Sequence, residues 1–154
     1  MTHYFAYGSN MSRTMMRRHC PGATAIGLAA LRGCRFVITT DGYASIVPSR
    51  GGMVHGVLWR LTPRDLAALN IYESVDSGLY SRMLLPVRTS AGRVAALIYV
   101  ARSRGKGQPK PGYLDVVLDA AREWNLPKAY VRSLARWSPT RWRGGRAAES
   151  GEPR

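Results

Sequence analysis

A short polar turn follows the first apolar segment of the chain. Residues 2–7 are rich in aromatic residues, and Gly8, Ser9 and Asn10 come directly after them. A Gly-Ser-Asn turn exposes consecutive backbone N–H groups beside a small hydroxyl and a small amide, which is what an anion nest or an oxyanion site requires. The same three residue types are also common in turns that bind nothing. We therefore treat this turn as a candidate site for a carboxylate or carbonyl oxygen.

Glu73 is the second candidate. It is the only Glu in the first 122 residues, and no Lys or Arg lies within eight positions of it along the chain. Its neighbours Ile71, Tyr72 and Val75 are largely apolar. A carboxyl group among such neighbours, without a local cation, tends to have a raised pKa, which suits a general acid or base. The alternative is that Glu73 ends a helix and points to water.

The histidines and cysteines do not suggest a metal or thiol centre. His3, His19 and His55 lack the spacing of metal ligands, so we expect no metal site. Cys20 and Cys34 are too few for a disulfide framework, and we expect both to be buried thiols. Cys20 beside His19 is a weak nucleophile candidate, because neighbours in a chain usually point apart and a nucleophile needs a base adjacent in space.

The elements that must position the turn and Glu73 follow from hydrophobic period and turn residues. Residues 2–7 predict a first strand, and residues 13–20 predict a short helix that directs Met15 and Met16 inward. Asp41-Gly42 is a typical hairpin turn. After the helix, the sequence predicts four short strands separated by turns that contain glycine, over residues 25–31, 35–40, 44–47 and 54–61.

The second half of the chain alternates between helices and strands. Thr-Pro-Arg-Asp at 62–65 is a typical helix start. Pro86 predicts that its strand lies at an edge or stops early. The predicted elements are a helix from residue 62 to about 72, strands over 80–87 and 93–101, the clearest amphipathic helix over 113–124, and a last helix over 127–134.

This pattern indicates an α+β domain, in which two or three helices pack on a small mixed, mostly antiparallel β-sheet or barrel. The 154 residues suit a single domain, which we place at residues 1–140, and the composition of residues 141–154 predicts a disordered basic tail. The apolar runs are too short to span a bilayer, and the N-terminus does not resemble a signal peptide. We therefore expect a cytoplasmic location and no membrane partner.

The chain is strongly basic, with 23 Lys and Arg against 9 Asp and Glu and a net charge of +14. Such a balance first suggests nucleic acid as a partner. Arginine is spread along the chain, with one cluster near the C-terminus that also contains two tryptophans: Arg132, Arg136, Trp137, Arg141, Trp142, Arg143 and Arg146. We favour a solvated basic face; the alternative function is an inactive basic module that binds nucleic acid or an acidic partner.

Two motifs taken together resemble the γ-glutamylcyclotransferase family. They are Tyr-Phe-Ala-Tyr-Gly-Ser-Asn-Met at 4–11, and Tyr-Glu-Ser-Val at 72–75 followed by Ser-Gly-Leu-Tyr-Ser-Arg at 77–82. The resemblance runs from about Thr2 to Leu134 and includes Tyr113, which follows a loop that contains proline. Neither motif would suffice alone, but a Tyr-Gly-Ser-Asn turn followed about sixty residues later by Glu and Gly-X-Tyr is fairly specific.

The resemblance implies that a γ-glutamyl group leaves as 5-oxoproline when the substrate's α-amine attacks its own γ-carbonyl. The nucleophile belongs to the substrate, so no enzyme nucleophile, metal or organic cofactor is implied. The implied partner is a small γ-glutamyl compound, and the protein would be a monomer or a homodimer. The resemblance makes Glu73 the general acid/base and assigns substrate binding to Tyr7, Gly8, Ser9, Asn10, Tyr80 and Tyr113, with Gly8 allowing close approach and the last two tyrosines donating hydrogen bonds.

The motifs leave the departing amine open. Ser74 after Glu73, together with Leu-Tyr-Ser-Arg at 79–82, looks more like the branch that acts on γ-glutamyl amines such as γ-glutamyl-lysine. The turn at Gly8–Asn10 looks like the branch that acts on free γ-glutamyl peptides. The reaction type is therefore better supported than the leaving group.

Overall fold

Five strands close into a barrel in the computed structural model, which describes residues 1–73, 78–103 and 105–139. Around the barrel the order is β1-β3-β2-β4-β5, and neighbouring strands run antiparallel except for the parallel pair β1 and β5. The predicted α+β class and mixed, mostly antiparallel barrel are confirmed. The strands are β1 (Thr2–Ala6), β2 (Thr24–Ile38), β3 (Ala44–Leu61), β4 (Tyr80–Thr89) and β5 (Gly92–Ala101).

The four short strands predicted between residues 25 and 61 are two long ones. β2 and β3 form one antiparallel hairpin around the predicted Asp41-Gly42 turn. The prediction was wrong because it read glycines as strand ends. The ladder instead shifts register at two irregularities, near Gly27 and Gly33, and both glycines have positive φ. A glycine adopts that conformation without strain, so the strand bends there and continues.

The prediction for Pro86 was also wrong in part. β4 runs past Pro86 to Thr89 and pairs along its length with β5, so it neither stops early nor lies outside the barrel. On its other side, β4 meets β2 at a single bridge, Ala30 to Arg88. Because that seam has so few ladder hydrogen bonds, a residue without an N–H is tolerated in the strand.

The described residues contain one 3₁₀ turn and four α-helices, which lie at the four segments predicted to be helical, although the predicted architecture counted only two or three packed helices. The helix over residues 113–124 is amphipathic as predicted, with Leu114, Val117 and Ala121 buried against the barrel. The Trp124 Nε1 at its end donates to the carbonyl of Met11, 2.8 Å away. The bounds are a 3₁₀ turn at Ser9–Met11, α1 (Arg13–His19), α2 (Pro63–Tyr72), α3 (Tyr113–Glu123) and α4 (Lys128–Ala135).

The core fills the barrel and the space beneath α3. Phe5, Val57 and Ile98 are fully buried there. Cys20 is buried as predicted, whereas Cys34 is only partly buried. No helix in the described ranges has the length and apolar character needed to cross a bilayer. The predicted tail at 141–154 and residues 74–77 of the second motif lie outside the described residues.

Candidate active site

One cavity of about 220 Å³ brings the two motifs together. The seven residues singled out from the sequence all line it, although they lie far apart along the chain. Seven of the eight tyrosines of the chain also line it. The lining consists of Tyr4, Phe5, Tyr7, Gly8, Ser9, Asn10, Tyr43, Ala44, Tyr72, Glu73, Leu79, Tyr80, Tyr99 and Tyr113.

The polar turn is held from both sides. β1 ends at Ala6, and the chain then tightens into the 3₁₀ turn, where the Met11 N–H donates to the Gly8 carbonyl. Trp124, which directly follows α3, holds the far end of the turn through its bond to the Met11 carbonyl. Ser9 and Asn10 are buried as a result. The backbone of the turn is thus fixed before any ligand enters.

Glu73 caps the C-terminal end of α2, where its N–H donates to the Leu69 carbonyl at 2.9 Å. The start of the same helix is locked by a capping box, in which Thr62 and Asp65 accept from each other's backbone N–H. Asp65 also accepts from the N–H of Gly22 in the loop after α1, at 3.1 Å. These bonds fix α2 against the rest of the domain and so place Glu73 at the cavity.

The Glu73 carboxyl titrates in the neutral range. Burial raises its pKa from about 4.5 to about 7. No Lys, Arg or His is among the described residues that line the cavity, so no cation there offsets this effect. The prediction of a raised pKa from the apolar surroundings of Glu73 is therefore confirmed. A carboxyl with this pKa exists in both protonation states near pH 7 and can act as base and then as acid.

Gly8 leaves room for the hydroxyl of Tyr113. A Cβ atom at Gly8 would lie 2.7 Å from Tyr113 Oη, closer than real Cβ atoms approach an oxygen. The N–H of Ala44 donates to the same Oη at 3.3 Å, and the backbone amide of Ser9 also interacts with it. In this structure, therefore, the group that closely approaches the Gly8 backbone is the Tyr113 hydroxyl.

Three of the cavity tyrosines donate their hydroxyl protons to protein oxygens. Tyr7 donates to the Tyr99 carbonyl, and Tyr80 donates to the Ala44 carbonyl at 2.9 Å. Tyr99 donates to Asn70 Oδ1. A phenol has one proton, so these hydroxyls can offer a ligand only lone pairs. The donation expected from Tyr80 to the substrate stays a prediction, and in this structure the proton is directed to the Ala44 carbonyl.

Tyr113 fits its predicted role better. Its oxygen accepts from backbone N–H, which leaves its own proton available to a ligand. Burial keeps the pKa of Tyr113 above the usual value, although the backbone amides of Ala44 and Ser9 act in the opposite direction. The hydroxyl therefore stays protonated and can donate into the cavity at neutral pH.

Four lining tyrosines were not found from the sequence: Tyr4, Tyr43, Tyr72 and Tyr99. Tyr4 and Tyr72 belong to the two motifs, so their positions beside the candidate residues could have indicated that they line the site. Nothing in the sequence indicated this for Tyr99, which is one residue in a largely apolar strand. Tyr43 follows the hairpin turn, and nothing local showed that this turn ends at the cavity mouth.

The comparisons with known proteins point in one direction. Residues 53–134 match the model of the AIG2-like family. Over 152 residues, the chain is 28% identical to the γ-glutamylcyclotransferase of Mus musculus and 29% identical to that of Bos taurus, and each alignment covers 92% of this chain and 81% of the relative. A solved structure titled γ-glutamyl cyclotransferase superposes with a TM-score of 0.84 at 26% identity, covering 94% of this chain and 92% of that one.

Proposed function

The chain belongs to the AIG2-like family, and we propose on that basis that it is a γ-glutamylcyclotransferase, which releases 5-oxoproline from a small γ-glutamyl compound. The observation that carries the proposal is that a carboxyl group with a pKa of about 7 shares one cavity with the Gly-Ser-Asn turn. The reaction needs a proton carrier and oxygen-binding donors in one place, and the cavity contains both.

The reaction rearranges one molecule without water. The α-amine nitrogen forms a bond to the γ-carbonyl carbon, the oxygen becomes an oxyanion, and the bond from that carbon to the leaving nitrogen then breaks. Two protons leave the α-ammonium group and both end on the leaving amine, so the reaction is balanced in protons. Since the attacking group is already part of the substrate, the enzyme mainly has to hold it near the carbonyl in an attacking geometry.

Glu73 carries these protons in our proposal. Its ionised form accepts a proton from the α-ammonium group, and its protonated form then donates to the leaving nitrogen. One carboxyl can do both in turn because its pKa of about 7 makes neither form costly at neutral pH.

The glutamyl head is held by neutral groups. We assign its carboxylate to the backbone N–H groups of Gly8 and Asn10 and to the hydroxyl of Tyr113, which the Ser9 backbone amide helps to position. Tyr7 and Tyr80 have already donated their protons, so their oxygens suit the α-ammonium group, which needs acceptors. The substrate's α-carboxylate would thus contact hydrogen-bond donors, and its α-ammonium group would contact hydrogen-bond acceptors.

The motifs do not identify the leaving amine, which would lie at the cavity mouth in the bound substrate. Tyr43, Tyr72 and Leu79 line the cavity and are also exposed, so they form its rim. This rim suits an apolar or aromatic leaving group as well as the alkyl chain of a lysine. A cytoplasmic location, the absence of a cofactor, and a monomeric or homodimeric state remain predictions from the sequence.

The test is release of 5-oxoproline from γ-glutamyl amino acids, γ-glutamyl-lysine, other γ-glutamyl amines and glutathione. The wild type should turn over at least one of them, and Glu73→Gln should lower kcat by about 10²–10⁴-fold while leaving the fold intact. Glu123→Gln is a matched control, because Glu123 is exposed at the end of α3, away from the cavity. Absence of turnover with every substrate would contradict the proposal, and an active Glu73→Gln variant would remove Glu73 as the proton carrier.

A further inference from the structure

Tyr4 lies on β1, is buried, and lines the cavity next to the Gly-Ser-Asn turn. We propose that Tyr4 is a further catalytic residue, whose hydroxyl donates a hydrogen bond to the substrate's γ-carbonyl oxygen as that oxygen becomes an oxyanion. The inference rests on the proposed cyclotransferase function and extends it to a group that stabilises the transition state.

The direction of the hydrogen bonds around Tyr4 carries the argument. Asn10 Nδ2 donates to Tyr4 Oη at 3.2 Å, and Asn10 Oδ1 lies 3.4 Å from His19 Nδ1. An amide oxygen can only accept, so His19 must carry a proton on Nδ1. In this orientation of the Asn10 amide, Nδ2 faces Tyr4 and Oδ1 faces His19. The order of donation is therefore from His19 to Asn10 and from Asn10 to Tyr4.

The Tyr4 hydroxyl proton is consequently free to point into the cavity. Within the described part of the chain, this hydroxyl has one hydrogen bond, and in it the oxygen is the acceptor. Tyr7, Tyr80 and Tyr99 differ, because each donates its proton to a protein oxygen. Burial, and then the nearby Glu73 carboxyl, hold the pKa of Tyr4 well above its usual value, so the proton stays on the oxygen. Tyr4 is thus a permanent donor at neutral pH.

The position of Tyr4 selects the reacting carbonyl as its target. Among the charged groups near Tyr4, Glu73 has the largest electrostatic effect on it. Glu73 must reach both the attacking and the leaving nitrogen, so the carbonyl carbon between them lies on this side of the cavity. Tyr4 and Glu73 both line the cavity, and no hydrogen bond joins them in the described structure. Glu73 also acts electrostatically on Tyr113, but the Tyr113 hydroxyl lies beside Gly8 and Ala44, and we assign it to the glutamyl head.

The cavity also needs such a donor. An oxyanion in a buried site is stabilised by a cation or by fixed dipoles, and no Lys, Arg or His is among the described lining residues. A phenol held by an oriented amide is a fixed dipole that does not have to reorganise when charge develops. In enzymes with comparable sites, removal of one such donor costs about 10²–10³-fold in kcat.

The main test is Tyr4→Phe, which removes one oxygen atom and keeps the ring. With a substrate that the wild type turns over, we expect kcat to fall about 10²-fold and KM to change little. Tyr130→Phe is the matched control, because Tyr130 is the one tyrosine outside the cavity lining and lies on α4 against His55. An unchanged kcat in Tyr4→Phe, or a change in KM alone, would overturn the inference while leaving the cyclotransferase proposal standing. An inactive wild type would overturn both.

The order of hydrogen-bond donation has its own test. His19→Phe removes the Nδ1 proton while a ring remains to stack on Tyr72, whose centroid lies 3.8 Å from that of His19. If His19 acts through Asn10 on Tyr4, this substitution lowers kcat in the wild type and adds little in the Tyr4→Phe background. Additive losses would overturn this positioning role. Nitrogen chemical shifts of the His19 ring provide a second readout, and a bare Nδ1 at neutral pH would show that Tyr4 donates to Asn10 instead.

Discussion

The cavity and the outer surface of this protein differ in the charged residues that line them. The cavity contains one carboxyl group, seven tyrosines and, among its described lining residues, no basic side chain. Three grooves elsewhere on the molecule are each lined by three basic residues and no acidic one. Their basic residues are Arg122, Lys128 and Arg132 at α3 and α4, Arg32, Arg88 and Arg93 between β2 and β4, and Arg35, Lys106 and Arg136 beside α4.

This difference explains how Glu73 keeps a neutral-range pKa in a chain with a net charge of +14. A cation within a few ångströms would stabilise the carboxylate and lower its pKa. The basic residues that the structure describes are absent from the cavity lining, and the hydroxyls and amides there are neutral. Within the described residues, nine of the basic side chains are divided among three grooves. The alternative of an inactive basic module is not favoured.

Beyond the catalytic variants above, the largest effect is expected at Gly8, where the cavity lining leaves no room for a side chain. Gly8→Ala would place a Cβ 2.7 Å from Tyr113 Oη and displace this hydroxyl from the site. We expect kcat/KM to fall by about 10²-fold, because a misplacement of about 1 Å has that cost. In the Tyr113→Phe background that oxygen is absent and the nearest ring atom lies 4.0 Å away, so only the 3.3 Å contact with Ala44 Cβ remains and the same substitution should cost less. Equal losses in the two backgrounds would show that Gly8 serves the ligand directly.

The contact between Gly8 and the Tyr113 hydroxyl could not be predicted from the sequence, whereas the residues that make it could. The turn, Glu73 and Tyr113 could be found because motifs mark them, and the barrel could be expected from the alternation of apolar residues and turns. That the hydroxyl of Tyr113 lies against Gly8 depends on how α3 packs over the end of β1, which no local pattern encodes. The direction of each tyrosine hydroxyl was hidden for the same reason, since Tyr7 and Tyr80 donate to carbonyls more than thirty residues away in sequence.

The second effect concerns stability and the charge state of Glu73. Its pKa is raised by folding, so the folded state binds a proton more tightly than the unfolded state, and this stabilisation is present below about pH 4.5 and lost as the pH rises through about 7. Glu73→Gln cannot ionise and should be more stable than the wild type by about 2 kcal/mol at alkaline pH. Urea unfolding of both proteins at acidic and alkaline pH measures the difference. A difference that does not grow with pH would contradict the raised pKa.

The third effect would break the neutrality of the cavity. Leu79 lies at the exposed rim, so Leu79→Lys can bring a cation near Glu73 without burying it. We expect the acid limb of the kcat/KM profile, set by Glu73 near pH 7, to move down by about one pKa unit. Leu79→Gln is the uncharged control. If both variants keep the wild-type profile, the acid limb does not report Glu73.

The smallest effect belongs to the basic outer surface. A γ-glutamyl amino acid such as γ-glutamyl-alanine has two carboxylates and one ammonium group, whereas γ-glutamyl-ethylamide has no net charge. The positive field of the protein should concentrate only the first at the surface, so its kcat/KM should fall a few-fold between about 20 and about 200 mM salt, with kcat unchanged. The neutral substrate should show little change. If both substrates lose kcat/KM equally, salt acts on the site itself, and the basic exterior and the neutral cavity are not electrostatically independent.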